Sequence, residues 1–233
     1  MVIKKVNINS NILREILLME TSKPIKLVEL SSEGEFSISE EAMNTLKELG
    51  NKQIAPIIIA GPLRKTIRNS LINQKGEFSV PENTKGIWMW NQPIKLPDNK
   101  GYALIMNVEG FDTSKAKEKL KILSLSLVLG SVVVYNTRGS IIEESWNDLS
   151  ELEKLQEIIK IKSEPNDFVR DFSKYAPSFV WVLHDCSVEA KGQLDDALKS
   201  SDPTRQAFSN FFTQRISYSL PKSTEGICFN FKH

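Results

Sequence analysis

An α/β fold is predicted for this 233-residue chain, with a mainly parallel central sheet, helices on both faces and a small hairpin near the N-terminus. Three features predict it. Apolar strand-like runs alternate with helix-like segments, the order that builds parallel sheets through crossover helices. One run, Ile54 to Ala60, is so uniformly apolar that it suits a strand covered on both faces. Apolar residues make up 40% of the chain, enough for one sizeable core.

In chain order, Ile12 to Met19 has the spacing of a short helix, and Lys26 to Leu30 alternates as a strand. Glu33 and Gly34 supply a turn into the small hairpin. Ser39 is placed to cap a helix, because Glu40 and Glu41 follow, Met43, Leu46 and Leu49 recur at helical spacing, and Gly50 stops it. After the Ile54 to Ala60 strand, ended by Gly61, the runs Gly86 to Asn91 and Tyr102 to Asn107 read as an antiparallel hairpin. The segment joining them holds Pro97, Asp98, Asn99 and Gly101. Trp88 and Trp90 fall on one face of their strand and read as core.

Thr113 or Ser114 can cap a helix running to Leu129, and Gly130 separates it from a strand, Ser131 to Asn136. A second long helix is expected from about Ile141 to Ile161, with a solvated charged face and Ile158, Ile159 and Ile161 buried. Beyond Pro165 comes a third apolar strand, Ser178 to Leu183. Helical segments near Gln193 to Lys199 and Pro203 to Tyr218 then precede a last strand, Ile227 to Phe231.

Charge excludes several classes of partner. With 30 basic against 29 acidic side chains and a net charge of +1, no global field gathers nucleic acid or an anionic membrane. The longest weakly polar stretch, Ile122 to Tyr135, is too short to cross about 30 Å of hydrocarbon, so no membrane insertion is expected. The first residues lack the apolar run of a secretory signal. A cytoplasmic location and two buried thiols, Cys186 and Cys228, are expected rather than a disulfide. His184 and His233, with cysteines far apart in sequence, show no zinc spacing. A nucleophile elbow of the Gly-x-Ser-x-Gly type is absent. His184 and Cys186 would share a face of one strand, but nothing is placed to orient them as a catalytic dyad.

In open α/β sheets, ligands bind outside the carboxyl ends of the strands. The informative segments are therefore Gly61 to Asn69, Asn107 to Gly110, Asn136 to Gly139, and His184 to Cys186. Gly61 permits close backbone approach, and a helix beginning near Thr66 would aim free N–H groups at a phosphate.

At these same positions the chain resembles the large GTPases of the guanylate-binding protein and atlastin family. The most specific match is Thr84, Lys85, Gly86, Ile87, Trp88, Met89, Trp90, similar to that family's switch I and following strand. Val108, Glu109, Gly110 match at the second switch. Further matches are Val134, Tyr135, Asn136 with Gly139, the run Pro177 to Trp181 leading into Leu183, His184, Asp185, and Cys228 with Phe229. The resemblance implies a Ras-like P-loop GTPase fold over residues 23–233, preceded by an extension at 1–22 and lacking the family's helical stalk.

The same resemblance implies guanine nucleotide, GTP or GDP, as the ligand. Gly61, Lys65, Thr66, Arg68, Asn69, Thr84, Glu109, Gly110, His184 and Asp185 would line its site. Arg64 takes the place of the family's internal arginine finger, Thr84 that of its metal-side threonine, and Asp185 that of the carboxylate accepting the guanine N1 and N2 hydrogens. A homodimer, or a heterodimer with a related G domain, is the implied protein partner.

Departures from the family pattern fall where chemistry would be done. The segment from Gly61 to Asn73 contains no Gly-Lys-Ser triplet; depending on register, Ile67, Arg68 and Asn69 stand in its place. Pro62 removes one N–H from the phosphate cradle. Asn107 stands where the family has an aspartate, and a neutral amide favours a hard divalent cation less, so magnesium binding is expected to be weak or absent. Arg64, Lys65 and Arg68 still offer three cations. Three functions follow: nucleotide binding with impaired hydrolysis, a pseudo-GTPase that pairs with an intact relative, or an active GTPase with an atypical phosphate loop.

Overall fold

A computed structural model describes residues 23–61, 85–96, 101–109, 116–162, 176–186 and 192–220, with backbone alone for 157–162. The expected helix at Ile12 to Met19, the phosphate-loop segment with the helix near Thr66, and the strand Ile227 to Phe231 lie outside the described residues. So do the extension at 1–22 and the side chains of Ile158, Ile159 and Ile161.

β1 (Pro24–Leu30) and β2 (Phe36–Ile38) form the small antiparallel hairpin. α1 (Glu40–Glu48) follows, and its Ser39 hydroxyl accepts a hydrogen bond from the Ala42 N–H at 3.4 Å, as an N-cap does. β3 (Ile54–Ala60) is buried at every residue. β4 (Gly86–Trp90) pairs antiparallel with β6 (Tyr102–Glu109), and the short β5 (Ile94–Lys95) sits in their connection.

α2 (Ala116–Leu129) leads through Gly130 to β7 (Val132–Arg138). A Cβ on Gly130 would lie 2.9 Å from both Ile58 Cγ1 and the Ser126 carbonyl oxygen, so only glycine fits between helix and sheet. α3 (Glu151–Lys162), β8 (Ser178–His184), the one-turn α4 (Gln193–Ala197), α5 (Pro203–Phe211) and β9 (Arg215–Leu220) complete the described elements.

The strands form one mixed sheet in the order β2-β1-β4-β6-β3-β7-β8-β9, with β5 beside β6. The stretch β6-β3-β7-β8-β9 is parallel, and the hairpin side is antiparallel. β3 lies between two parallel neighbours, which explains its unbroken apolar sequence.

Three expected elements differ. The helix expected from Pro203 to Tyr218 ends at Phe211, and Arg215–Leu220 is a strand. Its sequence alternates β-branched and aromatic residues with polar ones, and it supplies β8 with a backbone partner along the whole of Phe179–His184. The single helix expected from Ile141 begins later and in two parts. Ile142 is extended, with φ −116° and ψ 173°, and a 3₁₀ helix at Glu143–Leu149 precedes α3. Ser145 holds this start by accepting from the Ile142 N–H at 3.2 Å. β7 also runs two residues past Asn136, to Arg138.

The core has two parts, one on each face of the sheet. The first joins α1, α2, the 3₁₀ helix, α3, α4 and α5 to the sheet through Ile58, Leu104, Tyr135, Phe179, Trp181 and their neighbours. At its centre aromatic rings stack edge to face: Trp181 lies 5.0 Å from Trp146 and 5.3 Å from Tyr135, and Phe179 lies 4.7 Å from Phe208. The Trp181 indole donates to Thr137 Oγ1 at 2.9 Å, which satisfies its one buried donor and fixes β8 against β7. The second part, on the opposite face, is drawn from the strands and the β5 segment: Ile57, Ile59, Trp90, Ile94, Ala103, Ile105, Val132, Val134 and Val182. Trp90 belongs to it, whereas Trp88 is only half-buried beneath the Lys26 ammonium, 5.4 Å from its ring centre. No helix among the described residues is long and apolar enough to cross a membrane.

β3 ends at Gly61, which has φ +101°. A Cβ there would lie 2.6 Å from the Asn136 carbonyl oxygen and 2.7 Å from its nitrogen. Both are rigid backbone atoms of the neighbouring strand, so a side chain is excluded twice, by conformation and by space. Gly61→Ala is expected to lower unfolding stability in urea by about 2 kcal/mol or more; a loss within experimental error would contradict this placement.

Candidate nucleotide site at the strand ends

The second core face has a simple pattern. On β3, β6, β7 and β8 its apolar row stops before the carboxyl end, and the next positions on that face are polar or glycine. β6 continues from Ala103 and Ile105 to Asn107 and Glu109, and β3 from Ile57 and Ile59 to Gly61. β7 continues from Val132 and Val134 to Asn136 and Arg138, and β8 from Val182 to His184. The two-residue alternation of a strand makes these assignments. Ile59 pairs with Asn107 on one side and Val134 on the other, so carrying the register forward two residues brings Glu109, Gly61 and Asn136 to one level. Arg138 stands opposite His184.

Asn107 and Glu109 are both buried, at 1% and 6% exposure, and are joined by a 2.7 Å hydrogen bond from Asn107 Nδ2 to Glu109 Oε1. An amide oxygen facing a carboxylate would set acceptor against acceptor, so the bond also fixes the orientation of the amide. Trp88, paired with Asn107 across β4 and β6, flanks them on the same face.

The end of β8 is built differently. Asp185 has φ +54°, the left-handed conformation that aspartate tolerates better than most residues, and is the one non-glycine residue with positive φ among those described. Its turn is tied on both sides. The Gly139 N–H donates to the His184 carbonyl at 2.7 Å, and the Cys186 N–H donates to the Leu220 carbonyl at 3.2 Å. The Asp185 side chain is turned to solvent, where Oδ2 meets Arg138 Nε at 3.1 Å.

The left-handed residue breaks the strand alternation, so His184 and Cys186 do not share a face. His184 lies on the face of Val182, while Cys186 packs into the first core cluster. Cys186 is buried, with Sγ 3.9 Å from both Ser140 Oγ and Gln193 Nε2.

Of the residues singled out from sequence, Gly61, Glu109, His184 and Asp185 are brought to one edge of the sheet. Arg64, Lys65, Thr66, Arg68, Asn69, Thr84 and Gly110 lie outside the described residues. Asn136 and Arg138 join the edge without having been singled out individually. The signal that finds them is the continuation of the Val132, Val134 row by two more steps of two.

His184 is buried, with no hydrogen-bond partner for Nε2 among the described residues, and burial holds its pKa below the ordinary histidine value of 6.5. The Asp185 carboxylate pulls the value up and the Arg138 guanidinium pushes it down, both more weakly than burial. Since the folded pKa is the lower one, the unfolded chain takes up this proton first. The contribution of neutral His184 is thus complete above about pH 6.5 and is lost as pH falls below it. In urea unfolding, His184→Gln is expected to lose less stability than the wild type between about pH 7 and pH 5; parallel pH profiles would contradict this.

Comparison with known proteins gives the edge its family. The family profile "Guanylate-binding protein, N-terminal domain" matches residues 33–202. Guanylate-binding protein 1 of Chlorocebus aethiops is 32% identical over 187 residues, covering 73% of this chain and 31% of the relative. Guanylate-binding protein 3 of Homo sapiens is 30% identical over 217 residues, covering 83% and 36%. Guanylate-binding protein 6 of Mus musculus is 30% identical over 234 residues, covering 89% and 37%. The chain thus spans about a third of the length of these relatives. With its mixed sheet, its helices and the polar ends of its parallel strands matched along most of the sequence, the chain belongs to the guanylate-binding protein family and carries that family's N-terminal domain.

Proposed function

We propose that this chain is a cytoplasmic guanine-nucleotide-binding G domain that holds GTP or GDP at the carboxyl ends of β3, β6, β7 and β8, with GTP hydrolysis impaired. The observation that carries the reading is the turn at Asp185. A left-handed aspartate, pinned by hydrogen bonds from Gly139 and to Leu220, presents its carboxylate outward from the sheet edge. The two oxygens of such a group accept the N1 and N2 hydrogens of guanine, whereas adenine offers no matching pair of donors. Gly61, backed against Asn136, lets the chain leave β3 close to the sheet, where a phosphate can approach. Arg64, Lys65, Thr66, Arg68 and Asn69 would then supply cations and N–H groups to the phosphates, with Arg64 stabilising charge that develops during hydrolysis.

The reading of impaired hydrolysis rests on Asn107. The family would use an aspartate here in support of magnesium. In this chain the position is a neutral amide whose N–H is committed to Glu109. The buried Asn107 Oδ1 has no hydrogen-bond partner among the described residues, but a neutral amide attracts a hard divalent cation less than the carboxylate it replaces, so magnesium would be held weakly here. Thr84 would remain as the metal-side hydroxyl without that support.

Titration with fluorescent GDP and with fluorescent ADP tests the binding reading. Saturable binding of GDP, weakened about tenfold or more by Asp185→Ala with little change for ADP, is expected; equal affinity for the two nucleotides would contradict it. A second titration addresses the metal. Removal of magnesium with EDTA is expected to change wild-type GDP affinity by less than about threefold. Asn107→Asp, which restores an anionic pair with Glu109, is expected to make the affinity magnesium-dependent. Strong magnesium dependence in the wild type would contradict the metal reading and favour an active GTPase.

A further inference from the structure

The ion pair between Arg138 and Asp185 occupies the group proposed above for base recognition. Arg138 is the last residue of β7 and stands opposite His184 in the parallel register, one residue from Asp185. The Gly139 N–H bond to the His184 carbonyl holds the two turns together, so the guanidinium is kept beside the carboxylate by the backbone as well as by charge. Arg138 Nε lies 3.1 Å from Asp185 Oδ2. Guanine needs both carboxylate oxygens, one for N1–H and one for N2–H, and the guanidinium already lies against one of them.

We propose that Arg138 is an internal competitor for the base site: its guanidinium donates to Asp185 in place of guanine, and nucleotide binds by displacing it. Arg138 is thus a specificity-determining residue of the nucleotide site, and the inference rests on Asp185 as the base acceptor. It sets a threshold that a ligand must exceed. A ligand with two donors in guanine's geometry replaces the guanidinium and recovers the charge-assisted bonds, whereas a ligand with one donor or none leaves the pair closed.

The sign of the effect separates this role from a simple electrostatic one. A surface cation near a polyanionic nucleotide ordinarily helps binding, so its removal should weaken affinity. Competition demands the reverse. With side-chain exposures of 69% for Arg138 and 36% for Asp185, the pair is largely solvated, which limits the expected gain.

The test is titration of fluorescent GDP against wild type, Arg138→Ala, Asp185→Ala and the double variant at fixed ionic strength, with circular dichroism to verify folding. Arg138→Ala is expected to bind GDP about two- to fivefold more tightly than wild type, and the gain is expected to vanish in the Asp185→Ala background. Measurable binding in Arg138→Ala but not in wild type would support the inference as well. If Asp185→Ala weakens binding while Arg138→Ala leaves it unchanged or weaker, competition is overturned and the base-site reading stands. If Asp185→Ala binds as the wild type does, or no variant binds, the base-site reading fails and competition falls with it.

Discussion

A close backbone contact in the sheet, where β3 leaves against the backbone of Asn136 at Gly61, fixes the geometry of the carboxyl edge. Because no Cβ can enter that space, the parallel pairing of β3 with β7 continues to the last residue of the strand. With β6 in register on the other side, three strand ends arrive at one level. The polar residues that follow are there because the apolar rows of the second core face end at that level.

The other face of the sheet keeps this edge rigid. Trp181, Tyr135, Phe179, Trp146 and Phe208 interlock beneath β7 and β8, and the Trp181 to Thr137 hydrogen bond joins the two strands through a buried donor. This packing determines how the 136–139 and 184–186 turns meet. Asp185 can adopt a left-handed conformation in that setting because backbone hydrogen bonds on both sides stabilise the turn against the modest cost of the conformation. The Asp185 turn is therefore held by backbone hydrogen bonds on both sides. Under the proposed reading, recognition of a base and pairing with Arg138 would draw on one acceptor.

Much of this was legible in the sequence, for identifiable reasons. The uniform apolar run at Ile54 to Ala60 placed the central parallel strand, and Ser39 with its two glutamates placed a helix start, because each signal is local and strong. Ser178 to Leu183 and the turn after it pointed to His184 and Asp185. What was not legible depends on partners distant in sequence. Arg215 to Tyr218 reads as a helix continuation until β8 is seen to need a neighbour, and tertiary pairing decides such segments. The opposite facing of His184 and Cys186 follows from one positive φ, which no periodicity reveals. The Asn107 to Glu109 hydrogen bond depends on both being buried on one face, a fact visible only once the strand is placed.

On the proposed function, one rim formed by the ends of β3, β6, β7 and β8 receives the nucleotide. Amide hydrogen exchange of the free protein and of the protein saturated with GDP tests it most directly. Slowed exchange concentrated at residues 107–110, 136–139 and 184–186 is the result this account requires. Protection confined to the β1–β2 hairpin or to the α5 and β9 region, with these three segments unchanged, would contradict it.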